Sequence, residues 1–275
     1  MRWIVSIAAA IIATALLGAG MQAAPNSPSR PTENTVETVV DIELALAVDV
    51  SYSMDLDELA VQREGYAEAI VSKEFLSALK NGAHGKVAVT YFEWSAATDQ
   101  QTVIPWRIID GPETADSVAA EIMKTPIRRG SRTSISGAIN FAMQAFEENP
   151  YRGLRRVIDV SGDGANNSGE PVVVARDAAL AKGVTINGLP VMIKPISGTD
   201  IEHLDIYYED CVIGGPGAFS VTINERARFK EAIRAKLVLE VSDAQHSAGF
   251  VPAQAREPRI PCTAGEQLWR ERWGR

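Results

Sequence analysis

Short apolar runs that end in polar loops, separated by stretches of helical periodicity, constrain this chain most. Residues 42–48 (Ile-Glu-Leu-Ala-Leu-Ala-Val) form one run and stop at Asp49; residues 86–92 form a second, rich in β-branched and aromatic side chains. Both read as strands. Residues 102–109, 156–160, 184–191 and 218–223 are further strand candidates. Between them, Asp55 and Glu58 make a capping-box signature for a helix over 55–71, followed by a shorter one over 72–79. Ile135, Ala138, Ile139, Ala142 and Phe146 recur at spacings of three and four, which predicts one buried helix face across 134–147. Helices are also expected over 115–124, 172–182 and 225–239. Such alternation predicts a doubly wound α/β domain, a mostly parallel sheet with helices on both faces. Residues 102–109 follow their predecessor after a short loop and read as one antiparallel edge strand.

This domain is expected over residues 39–242. Ahead of it, Arg2, an apolar run over 4–17 and small residues over 19–24 have the layout of a secretory signal peptide over 1–24. A retained inner-membrane anchor is the alternative, because no charge falls between Trp3 and Ala24. The Pro-rich stretch over 25–38 reads as a linker. Residues 243–275 hold several prolines and no long periodic run, and are expected to wrap the surface. Export, to the periplasm or beyond, would let Cys211 and Cys262 pair. In the chain-entropy model the closed loop is worth on the order of 4 kcal/mol. Two buried free thiols are the other reading.

Charge narrows the function. Lys plus Arg number 27 against 35 Asp plus Glu, a net charge of −8, so no overall basic field attracts nucleic acid. The three histidines and two cysteines are far apart, leaving no zinc-finger, HExxH or CxxC spacing. Any metal must be held mainly by oxygen.

In an open α/β sheet, ligands gather beyond the carboxyl ends of the strands. Three such ends are unusual here. Asp49-Val50-Ser51-Tyr52-Ser53 places a carboxylate and two hydroxyls at alternate positions, so all three side chains point one way in an extended segment. Gly130-Ser131-Arg132-Thr133-Ser134 is a glycine-led loop that offers Thr133. Ser161-Gly162-Asp163-Gly164 ends a strand in an aspartate between glycines. Two acids and three hydroxyls suit a hard octahedral cation, Mg²⁺ first, with Mn²⁺ or Ca²⁺ as substitutes. Asp49 and Asp163 neutralise a divalent ion while Ser51, Ser53 and Thr133 donate weakly. The cation then stays electrophilic enough to accept an Asp or Glu carboxylate from a protein partner.

Plainer roles exist for each residue. Asp49 and Ser51 could cap the following helix, and Thr133 or Ser134 the next one. Asn166 and Asn167 read as turn formers, Trp94 as packing, and Tyr52 as pointing away from the metal. Arg128, Arg129 and Arg132 form a positive patch, either a solvated loop or a group that steers an acidic partner.

Taken together, Asp49-x-Ser51-x-Ser53, Thr133 on its glycine loop and Asp163-Gly164 resemble the metal-ion-dependent adhesion site of von Willebrand factor A (VWA) domains. The stretches Tyr207-Tyr208-x-x-Cys211-Val212-Ile213-Gly214-Gly215-Pro216-Gly217 and Val160-Ser161-Gly162-Asp163-Gly164 are similar to a group of exported bacterial proteins within that superfamily. The resemblance implies that Ser51, Ser53 and Thr133 touch the metal, with Asp49 and Asp163 acting directly or through water. This chain departs from the pattern at Asp159, where the family has an apolar residue, and at Gly162, where it has Thr. Asp159 is expected either to hydrogen-bond near the site or to sit at a solvated strand end. A competing function is a metal-dependent hydrolase or phosphotransferase with Asp49 as nucleophile. No second acid two positions on, no GxxxxGK[ST] loop and no GxSxG elbow supports it.

Overall fold

The computed structural model describes residues 38–195, 200–242 and 258–274. The expected signal peptide, the linker up to residue 37 and the first part of the C-terminal extension lie outside the described residues. Five strands, β1 (Thr38–Asp49), β2 (Val87–Trp94), β3 (Gln100–Ile109), β4 (Tyr151–Gly162) and β5 (Thr185–Pro190), form one sheet in the order β3-β2-β1-β4-β5. β1 pairs in parallel with β2 and β4, and β4 with β5; β3 runs antiparallel on the edge. The doubly wound class and the single antiparallel edge strand match the sequence reading.

The described residues hold eight α-helices: α1 (Leu56–Ile70), α2 (Lys73–Lys80), α3 (Pro112–Lys124), α4 (Ile135–Glu148), α5 (Val172–Ala181), α6 (Leu204–Tyr207), α7 (Phe229–Val241) and α8 (Ala264–Trp273). α6 continues into a π-helical turn, Tyr208–Val212. β1 shows why there are two cores. Ile42, Leu44, Leu46 and Val48 face the layer of α1, α2, α3 and α7, while Ala45 and Ala47 face α4 and α5. The small side chains on the second face let the Ile135, Ala138, Ile139, Ala142 and Phe146 stripe of α4 approach the sheet.

Two expectations are corrected. Residues 218–223 make only isolated bridges, Gly188 to Ser220 and Val191 to Ile223, so they line the β5 edge without becoming a strand. The C-terminal extension, in which no long periodic run is read and no helix is assigned from sequence, contains α8. Its sequence Ala-Gly-Glu-Gln-Leu-Trp-Arg-Glu-Arg-Trp has no apolar stripe, and Gly265 is its one buried residue. Attachment replaces the stripe: Cys262 is joined to Cys211 on the π-turn with an S–S distance of 2.03 Å.

Asp159 fits neither of its two expected roles. It is fully buried in β4, and Lys236 of α7 reaches it at 2.7 Å and Glu240 at 2.7 Å. Asn187 of β5 donates to the other Glu240 oxygen at 2.7 Å. Burial pushes both carboxyl groups upward against the pull of Lys236, and the carboxylates hold the Lys236 ammonium protonated despite its burial. This cluster fastens α7 to the strand that leads into Asp163. Lys236→Met strands two buried carboxylates and is expected to cost about 3–5 kcal/mol in urea unfolding. Adding Asp159→Asn and Glu240→Gln to the same protein should restore most of that loss.

Candidate metal site

The strand order reverses beside β1, between β2 and β4, and the crevice at that switch point collects the three loops. Register places Val48 opposite Ser161, so Asp49 ends β1 level with the end of β4. Asp49 is fully buried. Its Oδ1 accepts from the Ser51 amide at 2.7 Å, and its main-chain carbonyl accepts from Gln62 Nε2 at 3.1 Å. Its second oxygen, Oδ2, is buried without a hydrogen-bond partner among the described residues. Ser51 Oγ and Ser53 Oγ lie 2.8 Å apart, and Ser53 Oγ donates to Asp163 Oδ1 at 2.5 Å. Thus Ser51, Ser53 and Asp163 form one contiguous run of oxygens.

Thr133 comes from the second loop, which Gly130 ties to the first by a parallel bridge to Ser51. Thr133 bonds none of the other four residues through its hydroxyl. It lines the same cleft, and a Cβ placed on Gly164 would lie 3.4 Å from Thr133 Oγ1. The capping alternatives are decided by geometry. Asp55 caps α1 with a complete capping box, and Ser134 caps α4 by accepting from the Gly137 amide at 3.1 Å. Asp49, Ser51 and Thr133 therefore serve neither helix start.

Two asparagines hold the loops in register, a role beyond the turn forming expected of them. Asn167 Oδ1 accepts from the Thr133 amide at 3.0 Å, and its own amide donates to the Thr133 carbonyl at 2.8 Å. Asn166 Oδ1 accepts from the Ser136 amide at 3.0 Å, while its Nδ2 donates to Glu266 of α8 at 2.7 Å. A Cβ on Gly265 would overlap the Asn166 carbonyl, so α8 packs directly on the third loop. Position alone carried no signal for these contacts, because both asparagines stand in a loop whose partners are distant in sequence.

Gly162, where the family pattern has Thr, leaves room for Tyr208 from the π-turn: a Cβ there would lie 2.9 Å from Asp49 Oδ2 and 3.0 Å from the Tyr208 hydroxyl. That hydroxyl is buried without a hydrogen-bond partner among the described residues, and burial, then the charges of Asp49 and Asp163, push its pKa well up. Tyr208 is distant in sequence from all three loops, and nothing in its local sequence marks it as a neighbour of the site. Trp94 is buried in the core, as expected, and Tyr52 is exposed at the rim of the cleft.

Electrostatically the crevice is short of positive charge. Burial, then the neighbouring Asp163 carboxylate, raises the Asp49 pKa well above the ordinary range. Asp163 is pushed up to about 6, chiefly by burial, against the Ser53 hydrogen bond and the Lys194 ammonium. Lys194 is 3.8 Å from Asp163 but is engaged by Glu58 and the Ser53 carbonyl. Two acids, Asp49 fully buried and Asp163 partly so, beside three neutral hydroxyls, with one Asp49 oxygen unpartnered among the described residues, are a donor set that fits a divalent cation.

The family described as proteins of unknown function, DUF1194, matches residues 39–245. No curated protein sequence matches significantly. Among solved structures, proximal thread matrix protein 1 from the mussel byssus is 15% identical, with a TM-score of 0.53 over 74% of this chain and 48% of that one. A further structure of that protein, 18% identical with a TM-score of 0.52 over 74% and 48%, is described as having a zinc-occupied MIDAS motif, the metal-ion-dependent adhesion site. The pilus adhesin SpaC from Lactobacillus rhamnosus GG is 10% identical, with a TM-score of 0.56 over 75% and 31%. A von Willebrand factor type A protein from Catenulispora acidiphila is 15% identical, with a TM-score of 0.51 over 73% and 42%. The matched region is less than half of each of these proteins, and at such identities the likeness is one of fold. The chain belongs to the DUF1194 family, and its domain has the Rossmann-like VWA fold.

Proposed function

We propose that the chain is an exported, non-enzymatic binding module. Asp49, Ser51, Ser53, Thr133 and Asp163 hold a divalent cation, Mg²⁺ or Mn²⁺ before Ca²⁺, and an acidic side chain of a protein partner completes its coordination. The observation that carries this reading is Asp49 Oδ2, a buried carboxylate oxygen with no described partner, beside the hydrogen-bonded run of Ser51, Ser53 and Asp163. A buried carboxylate left so is costly in its charged form, which is why burial raises its pKa, and a divalent cation would stabilise that charged form. Bound there, the cation supplies an electrophilic centre for an incoming carboxylate. The chain's own residues fix the loops and keep the donor set weak. The mussel byssus relative with a metal in its MIDAS motif supports a metal in this fold position.

Export is supported by the Cys211–Cys262 disulfide, which suits an oxidising compartment, and by the layout of residues 1–24. The Pro-rich residues ahead of β1 are read as a linker, and residues 243–275 as the extension bearing α8. Among the described residues no helix is long and apolar enough to cross a membrane. Among the described residues the cleft lining contains no histidine or cysteine, which favours binding over a nucleophile-and-base reaction.

Titration calorimetry with Mg²⁺ should show one site on the wild-type protein. Asp49→Asn, or Ser51→Ala with Ser53→Ala, should weaken it by about tenfold or more, the value of one or two charge-assisted contacts. Equal affinity in all three proteins contradicts the assignment.

Proton linkage gives a second test. Asp163 titrates at about 6 in the fold against an ordinary 3.8, so between those values the folded state holds more protons than the unfolded one. The metal-free fold therefore loses stability as pH rises through that window. Unfolding in EDTA should show this decline for wild type and a shallower one for Asp163→Asn. Identical slopes would argue that Asp163 is not held in a cation-starved pocket.

A further inference from the structure

The three arginines next to Thr133 have separate fates. Arg128 pairs with Asp99 at 2.9 Å and Glu93 at 3.4 Å, and Arg129 donates to the Tyr52 carbonyl at 2.6 Å with its guanidinium 5.2 Å from the Tyr52 ring. Arg132 pairs with no carboxylate among the described residues. Its guanidinium carbon lies 3.6 Å from the centroid of Trp269 on α8, and its one hydrogen bond among the described residues is a long contact of 3.4 Å to the Asn167 carbonyl. A guanidinium's five donors lie in its plane, so stacking engages the face and leaves the edge available for a bidentate anion.

Considerable structure goes into placing this side chain. Arg132 is the one described non-glycine residue with positive φ, at 73°, a conformation that costs about 1 kcal/mol or more and concentrates at functional sites. The Asn167–Thr133 hydrogen bonds hold the residue after it. Trp269 is in turn fixed by the disulfide, by Gly265 against Asn166 and by Glu266. Arg132 and Trp269 both line the cleft of about 670 Å³ that contains Ser51, Ser53, Thr133 and Asp163, and Met192 and Ile201 add an apolar wall. That volume exceeds what a lone carboxylate fills.

Resting on the metal-site reading above, we infer that Arg132, presented by Trp269, is a second anion anchor, and that the ligand is a dicarboxylate. One carboxylate meets the cation; the other is gripped bidentately by Arg132, with apolar chain between them. Two sources share this chemistry, a peptide segment with two acidic side chains or a free dicarboxylic acid.

Calorimetry on the Mg²⁺-saturated full protein tests it with glutarate against butyrate, and with Ac-Glu-Ala-Glu-NH₂ against Ac-Glu-Ala-Gln-NH₂. The diacid of each pair should bind about tenfold more tightly, as expected for one hydrogen-bonded ion pair. Arg132→Gln should abolish that preference without changing Mg²⁺ affinity, and Trp269→Leu should reduce it. If the peptide pair shows the larger preference, the ligand is a protein segment; if glutarate does, it is a small acid. Equal binding of mono- and diacids by wild type, or a preference that survives Arg132→Gln, overturns the anchor. Failure of the metal reading looks different: no Mg²⁺ binding, with glutarate binding still removed by Arg132→Gln, would retain the anchor and discard the cation.

Discussion

Two aspartates at the ends of adjacent parallel strands, Asp49 fully buried and Asp163 lining the crevice above it, are the constraint from which the rest follows. Neither is neutralised in the way buried acids usually are: Asp49 has an oxygen without a described partner, and Asp163 shares its one nearby ammonium with Glu58. The sheet makes the juxtaposition unavoidable. β1 and β4 are neighbours in register, and the helices that follow them leave on opposite faces, so both strands end in an open gap. The hydroxyls of Ser51 and Ser53 then line the gap because alternate residues of an extended segment share a side.

Rigidity around that gap comes from contacts distant in sequence. Asn166 and Asn167 tie the third loop to the second, α8 packs on Asn166, and the Cys211–Cys262 bond keeps α8 there although it has little apolar surface of its own. On the other face, Lys236 joins α7 to Asp159, four residues before Asp163 in the same run of chain. Both layers of helices are thus pinned to the strand that carries the third loop.

Much of this was legible in the sequence for physical reasons. β1 is apolar on both faces because both are covered, and the α4 stripe has the period its burial requires. The Asp55–Glu58 capping box marked a helix start, though only the folded geometry excludes Asp49 and Ser51 as caps. The α8 helix was not legible, because a covalent tether replaces the hydrophobic face that periodicity detects. Residues 218–223 have strand composition, yet they pair through single bridges only. Asp159 looked anomalous in an apolar strand because its partner lies on α7; a lysine at an amphipathic helix position gives no sign that it turns inward. The three arginines read as one patch, whereas only packing against Trp269 separates Arg132 from its neighbours.

An anomalous difference map from crystals of this protein grown with Mn²⁺ addresses the cation most directly. A single strong peak is expected in the crevice, in contact with the Ser51 and Ser53 hydroxyls and with Asp163 or Asp49 bound directly or through one water. A crevice without a peak at saturating Mn²⁺, or with the peak on a different set of residues, would contradict the metal site.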